Sequence, residues 1–224
     1  MGFTETFLNG EVLLRVLPLL LTGLAMTLQL TACAILIGLP LGLAVAMLRL
    51  YAPRVVRWLA AGYVDLFRAL PMLVLLILIY YALPFVGIRL SSFTSAVVAL
   101  SIVMAAFSAE VFRAGIEAVP RGQVEAARAL GLHFGGVMRH VVLPQAVRVV
   151  VPPLTSNCVG ICKETSLASV VALPELLKQG NDAQALTANP TPLIGVAVIY
   201  LVVLWPLIRL VGRLEGRAGR ARAA

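Results

Sequence analysis

The chain has 224 residues, of which 61% are hydrophobic and 12% charged, whereas soluble domains run at roughly 45–50% apolar and about 25% charged. An ordinary water-soluble globule is excluded. The formal charge of +8 suits an anionic partner, but the basic residues fall between long apolar runs, where membrane topology accounts for them and a nucleic-acid partner is not expected.

The charges are clumped, leaving uncharged runs of 33 residues (Val16 to Leu48), 20 (Ala69 to Ile88), 20 (Leu90 to Ala109) and 26 (Ala183 to Ile208). Each can cross a bilayer as a helix, for which about 20 residues suffice. Ahead of the first run, Glu5 and Glu11 stand where a cleavable signal would carry positive charge, so no such signal is expected. Pro18 and Pro40 mark ends or kinks of the first span. After it, Pro53 interrupts the chain, and Val55, Val56, Trp58, Leu59 and Tyr63 alternate with Arg54 and Arg57, the pattern of a short amphipathic helix at the cytoplasmic face. Pro71 sits where the first turn of the next helix tolerates proline, so span two begins near Ala69 or Leu70.

A fifth span is less obvious: between Arg148 and Glu175 lie 26 residues broken only by Lys163 and Glu164. The expectation is therefore an all-α integral membrane protein of about five transmembrane helices, at 17–48, 69–88, 92–118, 145–172 and 192–211, forming one transmembrane domain over 1–224. With the N-terminus outside and the C-terminus cytoplasmic, 14 Lys/Arg fall in cytoplasmic segments and 3 outside. The positive-inside rule selects that orientation.

The stretch from Glu110 to Arg148 is long for a connection between membrane helices, and it keeps a helical apolar period. Pro120 and Gly122 end the helix running in from span three, and Gln123 to Leu130 starts a new one that stops at Gly131. Val124, Ala127 and Leu130 share one face, and the alanines at 126, 127 and 129 leave the helix thin enough for another backbone to approach. A second helix from Phe134 to Val142 runs toward Pro144. Spacing alone is equally compatible with a surface hairpin that merely links two spans.

The residues 110–131, EVFRAGIEAVPRGQVEAARALG, closely resemble the EAA loop of binding-protein-dependent ABC importer permeases, with Glu125, Ala126, Ala127 and Gly131 matching its core. Further stretches resemble the polar amino acid permease subfamily: FRALPMLV at 67–74, VLPQA at 142–146, Pro152-Pro153 and KETSLAS at 163–169. The likeness runs from about Thr22 to Glu215. It departs from the subfamily at Glu164, where aspartate is frequent, and at Ala106-Phe107-Ser108, where a small residue and tyrosine are frequent.

The resemblance implies a non-catalytic permease subunit of the bacterial inner membrane, carrying a polar amino acid or a related small zwitterion inward. Its implied partners are an ATP-binding cassette ATPase dimer, a second permease subunit (copy or paralogue), a periplasmic or extracellular substrate-binding protein, the amino acid substrate and membrane lipid. ATP and Mg would belong to the ATPase, and no cofactor to this chain. The coupling loop would be 119–143, with Glu125 offering a charged contact, Ala126 and Ala127 close approach, Arg128 a further polar contact and Gly131 the turn. Gly160-Ile-Cys-Lys-Glu-Thr165 lacks the second glycine and the Lys-[Ser/Thr] pair of a P-loop, so ATP hydrolysis is not expected here.

Ionisable residues at membrane depth are costly and point to a pathway or a partner. The candidates are Glu110, Lys163 and Glu164, with Asn157 and Ser166 on the same span as the last two. Glu110 has an alternative reading as one rung of a charge ladder with Arg113 and Glu117, at i+3 and i+7. No metal site is expected. Cys33, Cys158 and Cys162 lie in apolar stretches, and His133 and His140 have no third ligand. A self-sufficient secondary transporter or channel is the alternative; it would call for inverted repeats with interrupted helices, and five spans do not divide evenly.

Overall fold

The computed structural model describes residues 7–223, with side chains to Arg213. Its helices are α1 (Gly10–Tyr51), α2 (Arg54–Ala69), α3 (Met72–Ile77), α4 (Ser92–Glu117), α5 (Arg121–Ala129), α6 (Phe134–Val137), α7 (Leu143–Glu164), α8 (Leu176–Thr187) and α9 (Thr191–Ala223). Among the described residues, four helical stretches are long and apolar enough to cross a membrane: Gly10–Tyr51, Ser92–Glu117, Phe134–Val171 and Thr191–Arg213. A fifth arises if α2 and the helical stretch Met72–Val86, separated by a break, are taken together.

Several ends differ from the hydropathy runs. Asn9 caps α1 by accepting from the amides of Glu11 and Val12, both at 3.1 Å, so the first helix begins at Gly10 and includes Glu11 and Arg15. Its 42 residues rise about 63 Å, twice the hydrocarbon thickness, which leaves its charged ends clear of the apolar layer. The span expected at 69–88 is divided, because Pro71, extended at ψ 133°, sits at the N-cap of α3 and breaks it from α2. From Leu78 the stretch continues as a π-helix to Ala82 and a 3₁₀ turn to Val86. Pro144 does not end a helix. The π-helix Met138–Val142 joins α6 to α7 directly, and such local widening is one of the ways a helix accommodates a proline ring.

The chain forms two compact units. The first comprises the chain up to Leu36, Leu70–Ser101 and Val159–Leu207. One of its core clusters is Val16, Leu20, Leu176, Ala183 and Val196. A Cβ at Gly23 would lie 2.9 Å from the Leu176 Cα, so glycine is what lets the start of α8 rest on α1, where the Leu176 amide donates to the Thr27 hydroxyl. Glu175, fully buried, caps α8 by accepting from the amides of Leu177 (2.9 Å) and Lys178 (2.7 Å).

Burial pushes the Glu175 carboxyl from 4.5 up to about 7, partly offset by the two amides and by Tyr200. A raised acid pKa means the fold prefers the protonated form: stability is full below pH 4.5 and falls as pH rises to about 7. The expected loss across that window is roughly 3 kcal/mol. Thermal unfolding of wild type and Glu175→Gln between pH 4.5 and 8 checks this, the variant losing that share of the slope.

The second unit comprises Ile37–Ala69, Ile102–Cys158 and the chain from Ile208. Ala46 of α1, Val64 of α2 and Ala109 of α4 form its buried contact, and the Tyr63 hydroxyl donates to the Ile102 carbonyl at 2.8 Å. α1 and α4 approach at small residues: a Cβ at Gly42 would lie 2.8 Å from both the Ala105 carbonyl oxygen and the Ser108 Cβ. Because a backbone atom stands there, Gly42→Leu must separate the helices. We expect a loss of about 1–3 kcal/mol, read as a lowered unfolding temperature in detergent.

Candidate functional site

Three clusters of the expected site residues can be placed. The first is the hairpin after α4. Pro120 sets an extended entry (ψ 130°) into α5, and the helix ends in a Schellman motif. Leu132 donates to the Ala127 carbonyl (3.2 Å), Gly131 to that of Arg128 (2.9 Å), and Gly131 takes φ +82°. The hairpin has its own core of Val119, Ala127, Val137 and Val142, with Val124 against it. Glu125, Ala126, Arg128 and Ala129 face solvent. Leu130 does not share the buried face expected for it. It lies one residue past the end of α5 and is 84% exposed.

Two ties hold this hairpin to longer helices. Gln145 on α7 donates through Nε2 to Gln123 Oε1 of α5 at 2.6 Å. At the end of α1, the Tyr51 ring packs edge-on against Phe134 (centroids 5.3 Å apart), and its hydroxyl donates to Met138 Sδ. The first joins α5 to α7, and the second joins the end of α1 to Phe134 and Met138. A cavity of about 560 Å³ lies beneath, lined by Tyr51, Glu117, Arg121, Glu125, Arg128 and Phe134 among others.

The second cluster is an ion-pair chain. Arg49 Nη1 lies 2.6 Å from Glu110 Oε2, Arg113 pairs with both Glu110 and Glu117, and α1 is thereby tied to α4. Glu110 thus has two guanidinium partners, which is the geometry of the charge ladder.

The third cluster lies around the end of α7. At Glu164 the α-helix gives way to a 3₁₀ stretch, Thr165–Val171, that ends with Ala172 at φ +56°. One Glu164 oxygen is buried, with no hydrogen-bond partner among the described residues. Lys163 is exposed and makes no ion pair with it among the described residues. Ser166 donates to the Lys163 carbonyl at 2.8 Å, and Thr165, buried, to that of Cys162 at 2.8 Å. Earlier on α7, in the second unit, Asn157 Nδ2 is likewise buried and unpartnered among the described residues. No group of three or more potential metal ligands occurs among the described residues.

Residues 38–220 match the family of binding-protein-dependent transport system inner membrane components. The chain belongs to this family. Similar relatives include the arginine transport system permease protein ArtQ of Bacillus subtilis (strain 168), 36% identical over 84% of this permease and 87% of that protein. The L-cystine transport system permease protein TcyB of the same organism is 34% identical, over 91% and 88%. The glutamine transport system permease protein GlnP of Escherichia coli (strain K12) is 34% identical, over 90% and 93%. Among solved structures, an amino acid ABC transporter with histidines is 36% identical, with a TM-score of 0.86 over 92% of this permease and 96% of that chain. An inward-facing MetNI methionine ABC transporter shares the fold, with a TM-score of 0.69 at 23% identity. The permease is thus a membrane-spanning component of a binding-protein-dependent ABC importer, sited in the inner membrane.

Several contributors were missed by sequence reasoning. Tyr51, Phe134 and Met138 meet only because the end of α1 returns to the hairpin. Gln123 and Gln145 are 22 residues apart. Glu175 could have been found, since an acidic residue following Pro174 and preceding an apolar pair is a helix-start signal.

Proposed function

We propose that this permease carries a polar amino acid or a close zwitterionic relative inward, and that Glu164 receives its ammonium group. The observation that carries this is the buried Glu164 oxygen without a partner, beside a helix break. A carboxylate oxygen so placed costs free energy until water or a cation compensates it. The cargo of the relatives named above supports the class: arginine, cystine and glutamine each bear an α-ammonium and an α-carboxylate.

Ser166 and Asn157 are further pathway candidates, and Lys163 offers a positive group for a carboxylate. Glu110, engaged by Arg49 and Arg113, serves the fold rather than the cargo. The surface formed by Glu125, Ala126, Ala127, Arg128 and the Gly131 turn docks one subunit of an ATPase dimer, with Leu130 as an exposed apolar anchor. ATP and Mg are held there, and this chain performs no catalysis and holds no cofactor. A second permease subunit and a substrate-binding protein complete the importer.

Uptake of a labelled amino acid by vesicles containing the assembled importer, competed against a panel of unlabelled solutes, tests the cargo class. Competition by α-amino acids is expected; competition by sugars or peptides alone contradicts it. The same reading places residues 110–148 in the cytoplasm, so a cysteine at Arg121 in a cysteine-free background should resist impermeant reagents applied to intact cells. Labelling from outside would reverse the orientation.

A further inference from the structure

The second unit contains a cleft of about 550 Å³ formed by the end of α1, the first three turns of α2 and the end of α4. Arg49, Arg57 and Arg113 line it, together with Trp58, Asp65 and Glu117. We propose that this cleft binds the phosphate of an anionic phospholipid such as phosphatidylglycerol, with Arg57 as its principal contact.

The state of the cleft's guanidinium groups supports this. Arg49 and Arg113 are drawn to Glu110, and Arg113 also to Glu117. Arg57 has no carboxylate partner among the described residues; its hydrogen bond is a long one, 3.4 Å, to the Ala52 carbonyl. Its charge is available, and Arg54 stands one turn before it on the exposed side. A guanidinium presents five donors, so Arg49 keeps most of its N–H groups for a second acceptor after bonding Glu110.

Asp65, also lining the cleft, follows Arg57 by eight residues, about 12 Å along the helix axis, so the two side chains leave α2 more than two turns apart. With Glu110 counted, the guanidinium groups at the cleft are matched by carboxylates, so the attraction for an anionic headgroup rests on Arg57, whose charge no carboxylate engages among the described residues. Guanidinium is the side chain best suited to a phosphate.

The lipid tails also have a surface. Ala60 and Val64 are buried in the unit, whereas Val55, Leu59 and Leu66, at i, i+4 and i+11, form a separate apolar stripe, 71%, 71% and 58% exposed. Trp58, 79% exposed, borders that stripe at the mouth of the cleft. An indole between an apolar stripe and a basic cleft is the arrangement found at a membrane–water interface. A free phosphate ion would share the headgroup chemistry but would leave this stripe uncovered.

The experiment is thermal unfolding of the full chain in nanodiscs, with phosphatidylcholine alone and with phosphatidylglycerol added. Wild type is expected to unfold about 2–4 °C higher with the anionic lipid, the increment that one guanidinium at an anionic surface supplies in a chain of this size. Arg57→Gln should lose the increment, and Asp65→Asn should keep or enlarge it, since removing a carboxylate favours an anion. Inorganic phosphate added to the phosphatidylcholine nanodiscs should give none. Equal stability in the two lipids, an increment kept by Arg57→Gln or lost by Asp65→Asn, or its reproduction by inorganic phosphate would overturn the proposal.

Discussion

Gly131→Val is expected to reduce ATP-driven uptake at least about tenfold while the protein inserts and accumulates normally. Gly131 closes the Schellman motif of α5 at φ +82°, and no neighbouring atom lies within 4 Å of where a Cβ would stand. The penalty is therefore purely conformational. A β-branched residue in the left-handed region costs on the order of 1–2 kcal/mol, and refusing that conformation opens the bonds from Gly131 to Arg128 and from Leu132 to Ala127. Those bonds set the turn that follows α5, so, if the proposed docking surface is right, the loss falls on docking rather than on the core. Gly131→Asn, which tolerates positive φ far better, should retain most uptake. Paired assays of uptake and ATPase co-purification check both variants; a valine variant that transports like wild type removes the hairpin from the coupling account.

Glu164→Gln is expected to weaken uptake by roughly 10- to 100-fold, the equivalent of a hydrogen bond to a charged group worth about 1.5–3 kcal/mol. Assembly should be preserved. Since no cation faces Glu164 among the described residues, neutralising it strands no positive charge and should leave unfolding temperature unchanged or raised. Were Glu164 a structural ion-pair partner, the variant would lose complex yield first and its surviving molecules would transport normally. Measuring yield, unfolding temperature and uptake on one preparation separates the two.

The all-helical class and the presence of four or five long apolar helices among the described residues were legible because hydropathy is a long-range average that few local features disturb. What the runs did not reveal followed from local chemistry. Charged Glu11 and Arg15 looked like a boundary, yet Asn9 caps a helix that carries both. Pro71 marks a break between two helices rather than a simple start, and Pro144 is passed without a stop because a π-helix precedes it. Helix α8 has mixed polarity and lies between the apolar runs, so a search for spans passes over it. At the candidate site, the turn at Gly131 could be read from residue type and pattern, and the structure gives it φ +82°; the roles of Glu125 and Glu164 belong to the proposed function. The partners of Glu110 only half could: Arg113, which also pairs with Glu117, follows from helical spacing, while Arg49 is 61 residues away and meets it only through packing of α1 on α4.

The most direct test of the account is the energy source for uphill uptake. Vesicles containing this permease, its ATPase and a substrate-binding protein should accumulate labelled amino acid when supplied with ATP, and should fail to do so when ATP, the ATPase or the binding protein is withheld, whatever ion gradient is imposed. Accumulation driven by a proton or sodium gradient in vesicles holding this chain alone would contradict the account and establish a self-sufficient transporter.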